Sequence, residues 1–145
     1  MHGDLSAAEI EQLLRSGFLA RLGCCESTRP YVVPVCYAYD GAFIYGFSGD
    51  GEKLEALRSS RQVCVQVDRI ADPANWRSVL VWGTFEELRG TEALDALQQL
   101  SRHLVAAAGP EHAFDPRTFV TRNRGFGVAY RIRVYERSGR YESRS

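Results

Sequence analysis

The fold is decided by residues 30–48, which read PYVVPVCYAYDGAFIYGFS. Side chains alternate along an extended strand, so residues 30–39 predict one strand with two different faces. One face carries Tyr31, Val33, Val35, Tyr37 and Tyr39, and the other carries Val32, Pro34, Cys36 and Ala38. Asp40-Gly41 then predicts a two-residue hairpin turn, with Ala42 to Ser48 as the returning strand. This stretch therefore predicts antiparallel β structure.

Pro34 restricts where this strand can lie. Proline lacks the N–H that a sheet ladder needs, so a strand that contains it lies at an edge or carries a bulge. The small residues Cys36 and Ala38 share its face, which would let a flat ring approach the backbone. A proline at a barrel rim with no ligand is the alternative interpretation.

The rest of the chain predicts more strands and three helices. Ser6 and Glu9 form a capping box that starts a helix with an apolar stripe, and Gly17 ends it. We expect a single domain, residues 1–145, with residues 1–17 as its N-terminal helix. Short antiparallel strands with few helices favour a mainly β barrel. Further strands are expected at 18–25, 62–68 and 76–88 (interrupted at Gly83), and residues 127–142 are expected to form a strand or a hairpin that turns at Ser138-Gly139. Helices follow Gly51 and span 91–108.

Composition excludes several classes of function. The chain has 145 residues, and its 18 basic residues balance 18 acidic ones, so no nucleic-acid or membrane partner is expected. No signal peptide or apolar run long enough to span a membrane is visible. The four cysteines lack metal-ligand spacing and lie in apolar strands, where cysteine is usually buried, which favours a reduced, cytoplasmic setting. The three histidines are far apart, so no metal site is expected.

Residues 48–53, which read SGDGEK, join a strand to a helix. A helix N-terminus with free amides, the Ser48 hydroxyl and the Lys53 ammonium is a plausible phosphate cradle. The alternative is an ordinary loop in which Asp50 caps the helix and Lys53 is solvated. Asp50 and Glu52 would repel an anion.

Residues 75–78, which read NWRS, open a predicted strand. Trp76 is able to stack on a ring and Arg77 to reach a phosphate or a developing negative charge. An interface tryptophan beside a solvated arginine is the alternative.

Taken in order, these segments resemble the pyridoxamine-phosphate-oxidase-like flavin proteins, in the branch that contains the nitroimidazole-resistance proteins. The resemblance covers most of the chain from Gly17 onward. It rests on residues 29–35, 37–41, 44–48, 51–57, 76–83, 130–134 and 139–142.

This resemblance implies a split β-barrel whose homodimer holds flavin mononucleotide (FMN) at each of two shared sites. Val33, Pro34, Val35 and Tyr37 would lie along the isoalloxazine ring. Phe47, Ser48 and Lys53 would sit near the ribityl phosphate, and Ser78 would replace a polar residue that contacts the flavin. Trp76 and Arg77 would complete the site from the partner subunit.

The resemblance also narrows the chemistry. Phe47 stands where nitroimidazole-resistance proteins carry a histidine, and the arginine and histidine pattern that grips pyridoxal phosphate is absent. The prediction is an FMN-dependent oxidoreductase for an unknown small molecule, with no catalytic side chain named. The alternatives are a flavin carrier or sensor without turnover, and a barrel that binds deazaflavin F420 or haem.

Overall fold

A computed structural model describes residues 1–49, 52–118 and 127–144, together with the side chains of these residues except those of Glu52, Lys53 and Gly127. Eight strands form one sheet, and each pair of hydrogen-bonded neighbours is antiparallel. The sheet order is β3-β2-β6-β7-β8-β5-β4, with β1 paired to β8. The strands are β1 (His2–Asp4), β2 (Leu19–Glu26), β3 (Arg29–Cys36), β4 (Ala38–Tyr39), β5 (Phe43–Gly49), β6 (Gln62–Asp72), β7 (Asn75–Leu88) and β8 (Gly127–Glu142). The predicted antiparallel β class is confirmed.

The helices α1 (Ala7–Ser16), α2 (Glu52–Ser59) and α3 (Gly90–Ala108) accompany the sheet. The predicted capping box is confirmed, since the Ser6 hydroxyl accepts from the Glu9 amide and the Glu9 carboxylate accepts from the Ser6 amide. A 3₁₀ turn, Pro110–His112, follows α3. No helix of the described residues is long and apolar enough to cross a membrane.

Helix α2 lies where the two ends of the sheet come together. It contacts β2, β3 and β5, and β3 also approaches β5. Leu54 and Leu57 on its inner side are both buried in the main core. The sheet therefore curls into a barrel whose seam is filled by a helix.

Strand β3 is the first strand of the sheet order, which confirms the edge position that Pro34 predicts. The predicted strand over residues 30–39 is divided, however, because Tyr37 interrupts it between β3 and β4. Tyr37, Ala38 and Tyr39 are all buried, so the alternation of faces ends at Cys36. The chain turns the corner of the barrel there.

The β4–β5 hairpin is held by Asp40. Its Oδ1 accepts from the amides of Ala42 and Phe43 at 2.9 and 2.8 Å, and its Oδ2 accepts from the Tyr45 hydroxyl at 2.7 Å. Burial raises the pKa of Asp40, but these three hydrogen bonds outweigh it and leave that pKa below its usual value. Burial, together with the Asp40 carboxylate, raises the pKa of Tyr45 to about 12.

Two other expectations need correction. Residues 127–142 form a strand, one of the two expected forms, but the expected turn at Ser138-Gly139 is wrong, because Gly139 pairs with Val79 and lies under Leu5 and Ile10, where a Cβ would be only 2.9 Å from either side chain. Of the four cysteines only Cys24 is buried. Cys25 and Cys36 are exposed because they lie on the outer side of the sheet.

Candidate functional site

Side chains alternate between the two sides of strands β3, β2, β6 and β7. One side packs on the core, and the other forms a second surface of the sheet. The ladder places its residues in two rows across the strands. We call this surface the outer face. Its first row is Pro34, Arg21, Gln66 and Leu80. Its second row is Val32, Gly23, Cys64 and Trp82. None of these eight residues is buried, whereas Leu22, Val65 and Val81 beside them are buried in the core.

The second row forms a shallow apolar depression of about 300 Å³. Trp82 and Tyr135 supply aromatic surface, and Val32 is 67% exposed. A Cβ on Gly23 would lie 2.8 Å from the Cys64 sulfur, so the thiol rests directly on the glycine backbone. The floor is consequently flat, which suits a planar ring with aromatic groups at its side.

The first row supplies a polar border to this depression. Gln66 Nε2 donates to Asp68 Oδ2 at 2.9 Å and to Ser78 Oγ at 3.0 Å, and Arg21 lies 3.8 Å from Asp68. The orientation of the amide follows, because a carboxylate only accepts. Gln66 Oε1 is buried and has no donor among the described residues. Buried acceptors are nearly always satisfied, so this oxygen calls for a donor from water, a bound molecule or a second chain.

A second pocket, of about 360 Å³, lies at the start of β7. Trp76 and Arg77 line it together with Arg69 and Tyr141. Arg77 is 3.6 Å from Glu9 on α1, and Arg69 donates to Ser16 at 3.0 Å. Arg77 therefore points to the opposite side of the sheet from Ser78, and one copy of the chain does not bring both to the outer face.

Several predicted site residues lie inside the barrel. Val35, Tyr37 and Ser48 are buried, and Val33 packs partly buried against the core. Tyr37 donates to the Leu14 carbonyl at 2.7 Å, and burial raises its pKa well above the usual value. Ser48 donates to the carbonyl of Gly49 at 2.8 Å. These side chains do not reach the outer face, and their contribution to a site there is limited to backbone atoms.

The remaining predicted residues lie on β5 and α2. Phe47 packs against the core beneath α3. Lys53 belongs to the first turn of α2, but its side chain, like Asp50 and Gly51, lies outside the described residues. Within the described ranges, no three metal-ligating side chains lie close enough together to hold an ion.

Gln66 is the functional candidate that sequence reasoning missed. The available signal was a glutamine in the middle of an alternating apolar strand, QVCVQVD at residues 62–68. Its meaning depends on Asp68 and Ser78, and the second of these comes from another strand. Periodicity alone does not supply that contact.

The antiparallel barrel with its helix-filled seam and exposed outer face is a split β-barrel. A family profile described as pyridoxamine 5'-phosphate oxidase matches residues 6–141. The chain therefore belongs to the pyridoxamine 5'-phosphate oxidase family, as the resemblance predicted.

Individual relatives agree with this assignment. An FAD-binding protein from Mesorhizobium loti is 31% identical, with 99% of this chain and 98% of that chain covered and a TM-score of 0.79. A proposed 5-nitroimidazole antibiotic resistance protein from Bacteroides thetaiotaomicron has a TM-score of 0.76 over 97% of this chain and 87% of that chain; at 20% identity it shows the fold alone. An uncharacterised protein of Rhizobium meliloti is 39% identical over 88 residues, 61% of this chain and 58% of that relative. The match thus spans little more than half the length of the curated relative.

Proposed function

We propose that this chain binds FMN on the outer face, at the interface of a homodimer, and acts there as an oxidoreductase on a small molecule. One observation carries the proposal: a flat apolar depression borders a buried carbonyl oxygen, Gln66 Oε1, for which the described residues supply no donor. An isoalloxazine ring has the matching chemistry, since it is planar, apolar at one edge and carries an N–H donor at the other.

The described residues fit such a ring. Gly23 and Cys64 would lie beneath it and Trp82 beside it, while Gln66 and Ser78 would face its hydrogen-bonding edge. Pro34 and its neighbours Val33 and Val35 would contribute backbone surface, and Lys53 would hold the phosphate. Bound flavin supplies hydride or electron transfer, and the protein orients the ring and excludes water from it.

The homodimer belongs to the same proposal. An exposed apolar sheet face is a typical interface, and two-fold symmetry is the commonest arrangement of identical chains. Arg77 points away from the outer face of its own chain, so we assign its contact with the flavin to the opposing subunit. Trp76 lies on the same side of β7 as Ser78, and it would reach the opposing subunit's flavin across the interface. The free cysteines suit a reduced cytoplasmic setting.

The first experiment is the absorbance spectrum of the freshly purified protein, followed by FMN titration of the apoprotein. Flavin absorbance and a dimeric mass in solution would support the proposal. A stable monomer that retains flavin, or an apoprotein that FMN leaves unchanged, would refute it.

Lys53→Ala tests the phosphate contact, with Arg117→Ala as an exposed control. Lys53 is the only lysine in the chain, so an amine-reactive label has this residue and the N-terminus as its targets. We expect Lys53→Ala to weaken FMN binding about ten-fold or more without unfolding the protein, and FMN to protect Lys53 from the label. Equal affinity together with equal labelling would remove Lys53 from the site.

FAD is the second candidate cofactor, because the Mesorhizobium loti relative at 31% identity is an FAD-binding protein. Chromatography of the released cofactor separates FMN from FAD. A Soret band would instead assign haem, and a deazaflavin would show its own spectrum and mass. Turnover of a reduced nicotinamide with added acceptors distinguishes an enzyme from a carrier or sensor.

A further inference from the structure

The largest cavity described, about 580 Å³, lies away from the outer face. It opens where the end of α2 and the start of β6 meet the end of β7 and the start of α3. We call it the arginine cavity, and its lining residues are Arg58, Arg61, Phe85, Glu86, Glu87 and Arg89. None of them lines the depression assigned above to flavin.

Both carboxylates of the cavity are already paired. Glu87 forms a two-point ion pair with Arg58. Glu86 lies 3.4 Å from Arg131 and 3.3 Å from Arg133. The acidic groups in the wall are thus neutralised by other arginines and do not cancel the charge of the remaining two.

Arg61 and Arg89 have no carboxylate partner among the residues that the structure describes. Their backbones are well fixed: the Arg61 carbonyl accepts from the Phe85 amide at 2.7 Å, and Arg89 immediately precedes α3. Two guanidinium groups, on residues that directly precede β6 and α3, therefore face one cavity with an excess of positive charge. Arginine side chains in this arrangement favour bidentate recognition of an anion.

We propose that the arginine cavity binds the phosphoryl groups of a small phosphorylated molecule. Its volume falls within the range of small-molecule sites, which is more than a single inorganic ion requires. Arg89 also stands at the N-cap position of α3 with no side-chain cap, so the first amides of that helix add to the attraction for an anion. The Glu92 carboxylate in the same turn is paired with Arg131. The cavity shares no lining residue with the depression on the outer face, so it is a separate site on the chain.

Calorimetric titration of the full-length protein with pyrophosphate tests this site. We compare the wild type with Arg61→Ala, Arg89→Ala and the double variant, and use Arg102→Ala as the control. Arg102 is exposed on the same helix, roughly 18 Å farther along at 1.5 Å per residue. The expected result is binding that weakens about ten-fold or more in the double variant, weakens with added salt, and changes less than about two-fold in the control.

Two results would overturn the site: no binding of pyrophosphate by the wild type, or unchanged binding by the double variant. Thermal unfolding of each variant checks that exposed substitutions leave the fold intact. AMP and FAD in competition with pyrophosphate identify the source of the phosphate. Displacement by FAD but not by FMN assigns the cavity to the adenylate half of FAD, and displacement by AMP alone assigns it to a free nucleotide. Loss of flavin binding with retained pyrophosphate binding would refute the proposed function only.

Discussion

The two faces of strands β3, β2, β6 and β7 differ in whether the chain itself covers their apolar side chains. Val81 and Leu80 are neighbours on β7, yet Val81 is fully buried in the core and Leu80 is partly exposed on the outer face. The inner face fills its own space with the side chains of one chain. The outer face keeps exposed apolar surface, a flat glycine floor and an unsatisfied amide oxygen. The inner face serves folding, and the incomplete outer face is the surface that we propose for binding.

Phe85→Ala is the strongest test of the inner face. Phe85 is 2% exposed and its ring lies 5.3 Å from that of Tyr130. Loss of this buried ring should lower the free energy of unfolding by about 3–5 kcal/mol, measured by urea denaturation. Thr84→Ala, on the outer side of the same strand, is the control and should cost less than about 0.5 kcal/mol. Comparable losses in the two variants would erase the distinction between the faces.

Val32→Asp tests the outer face. Val32 is 67% exposed in one chain, so a carboxylate there is solvated in the monomer but would be buried between two subunits. We expect dissociation of the dimer to become at least about ten-fold easier, about 1.4 kcal/mol, with little change in monomer unfolding. Sedimentation velocity measures the first and denaturation at low concentration the second. Val32→Thr keeps the shape and should remain dimeric; an unaltered dimer in Val32→Asp would place the interface elsewhere.

The smallest expected effect concerns Asp40, at the β4–β5 turn. Asp40→Asn should cost about 1 kcal/mol at neutral pH, the ordinary net value of its hydrogen bonds, because the residue is exposed and solvent screens its charge. The pKa of Asp40 is lowered in the folded state, so its stabilisation is present above the unfolded pKa and is lost as the pH falls through the folded value. The free energies of unfolding of the wild type and of Asp40→Asn, measured by acid denaturation, should therefore converge as the pH falls.

Tyr45 reports the same contact from the alkaline side. Its pKa, about 12 in the wild type, should fall in Asp40→Asn, because the carboxylate's hydrogen bond and charge contribute to the rise. Its contribution to stability is present below the unfolded pKa and is lost as the pH rises through about 12. Ultraviolet titration of the phenolate measures the shift. A Tyr45 that titrates identically in both proteins would show that burial alone sets its pKa.

Local signals were sufficient for much of the fold. The capping box at Ser6 and Glu9 depends on residues three positions apart, and the edge position of β3 follows from the missing N–H of Pro34. The turn at Ser138-Gly139 was wrong because glycine marks turns and crowded strands alike. Leu5 and Ile10, which lie against Gly139, are more than 120 positions away in the chain.

The candidate site shows the same limit. Alternation separates the face of Pro34 from the face of Val35 and Tyr37, and the structure has Pro34 on the outer face and Val35 and Tyr37 in the core. The resemblance nevertheless groups all three with the ring contacts. Whether a strand residue faces the core or a ligand depends on which side the helices cover. Sequence spacing shows which residues share a face, but it does not show which face packs on the core. The contact of Gln66 with Ser78 also depends on the register of two strands.

The prolines of β3 have a consequence for how two chains can meet. Pro30 and Pro34 lie four residues apart on the outermost strand, opposite Cys25 and Arg21 of β2. Each removes an amide donor, which interrupts the row of hydrogen-bonding groups along that border. These gaps disfavour the addition of a further strand at the β3 edge of the sheet. Face-to-face packing of two sheets remains available for self-association. The same two prolines would therefore protect the chain from fibre growth and favour the closed pair that we propose.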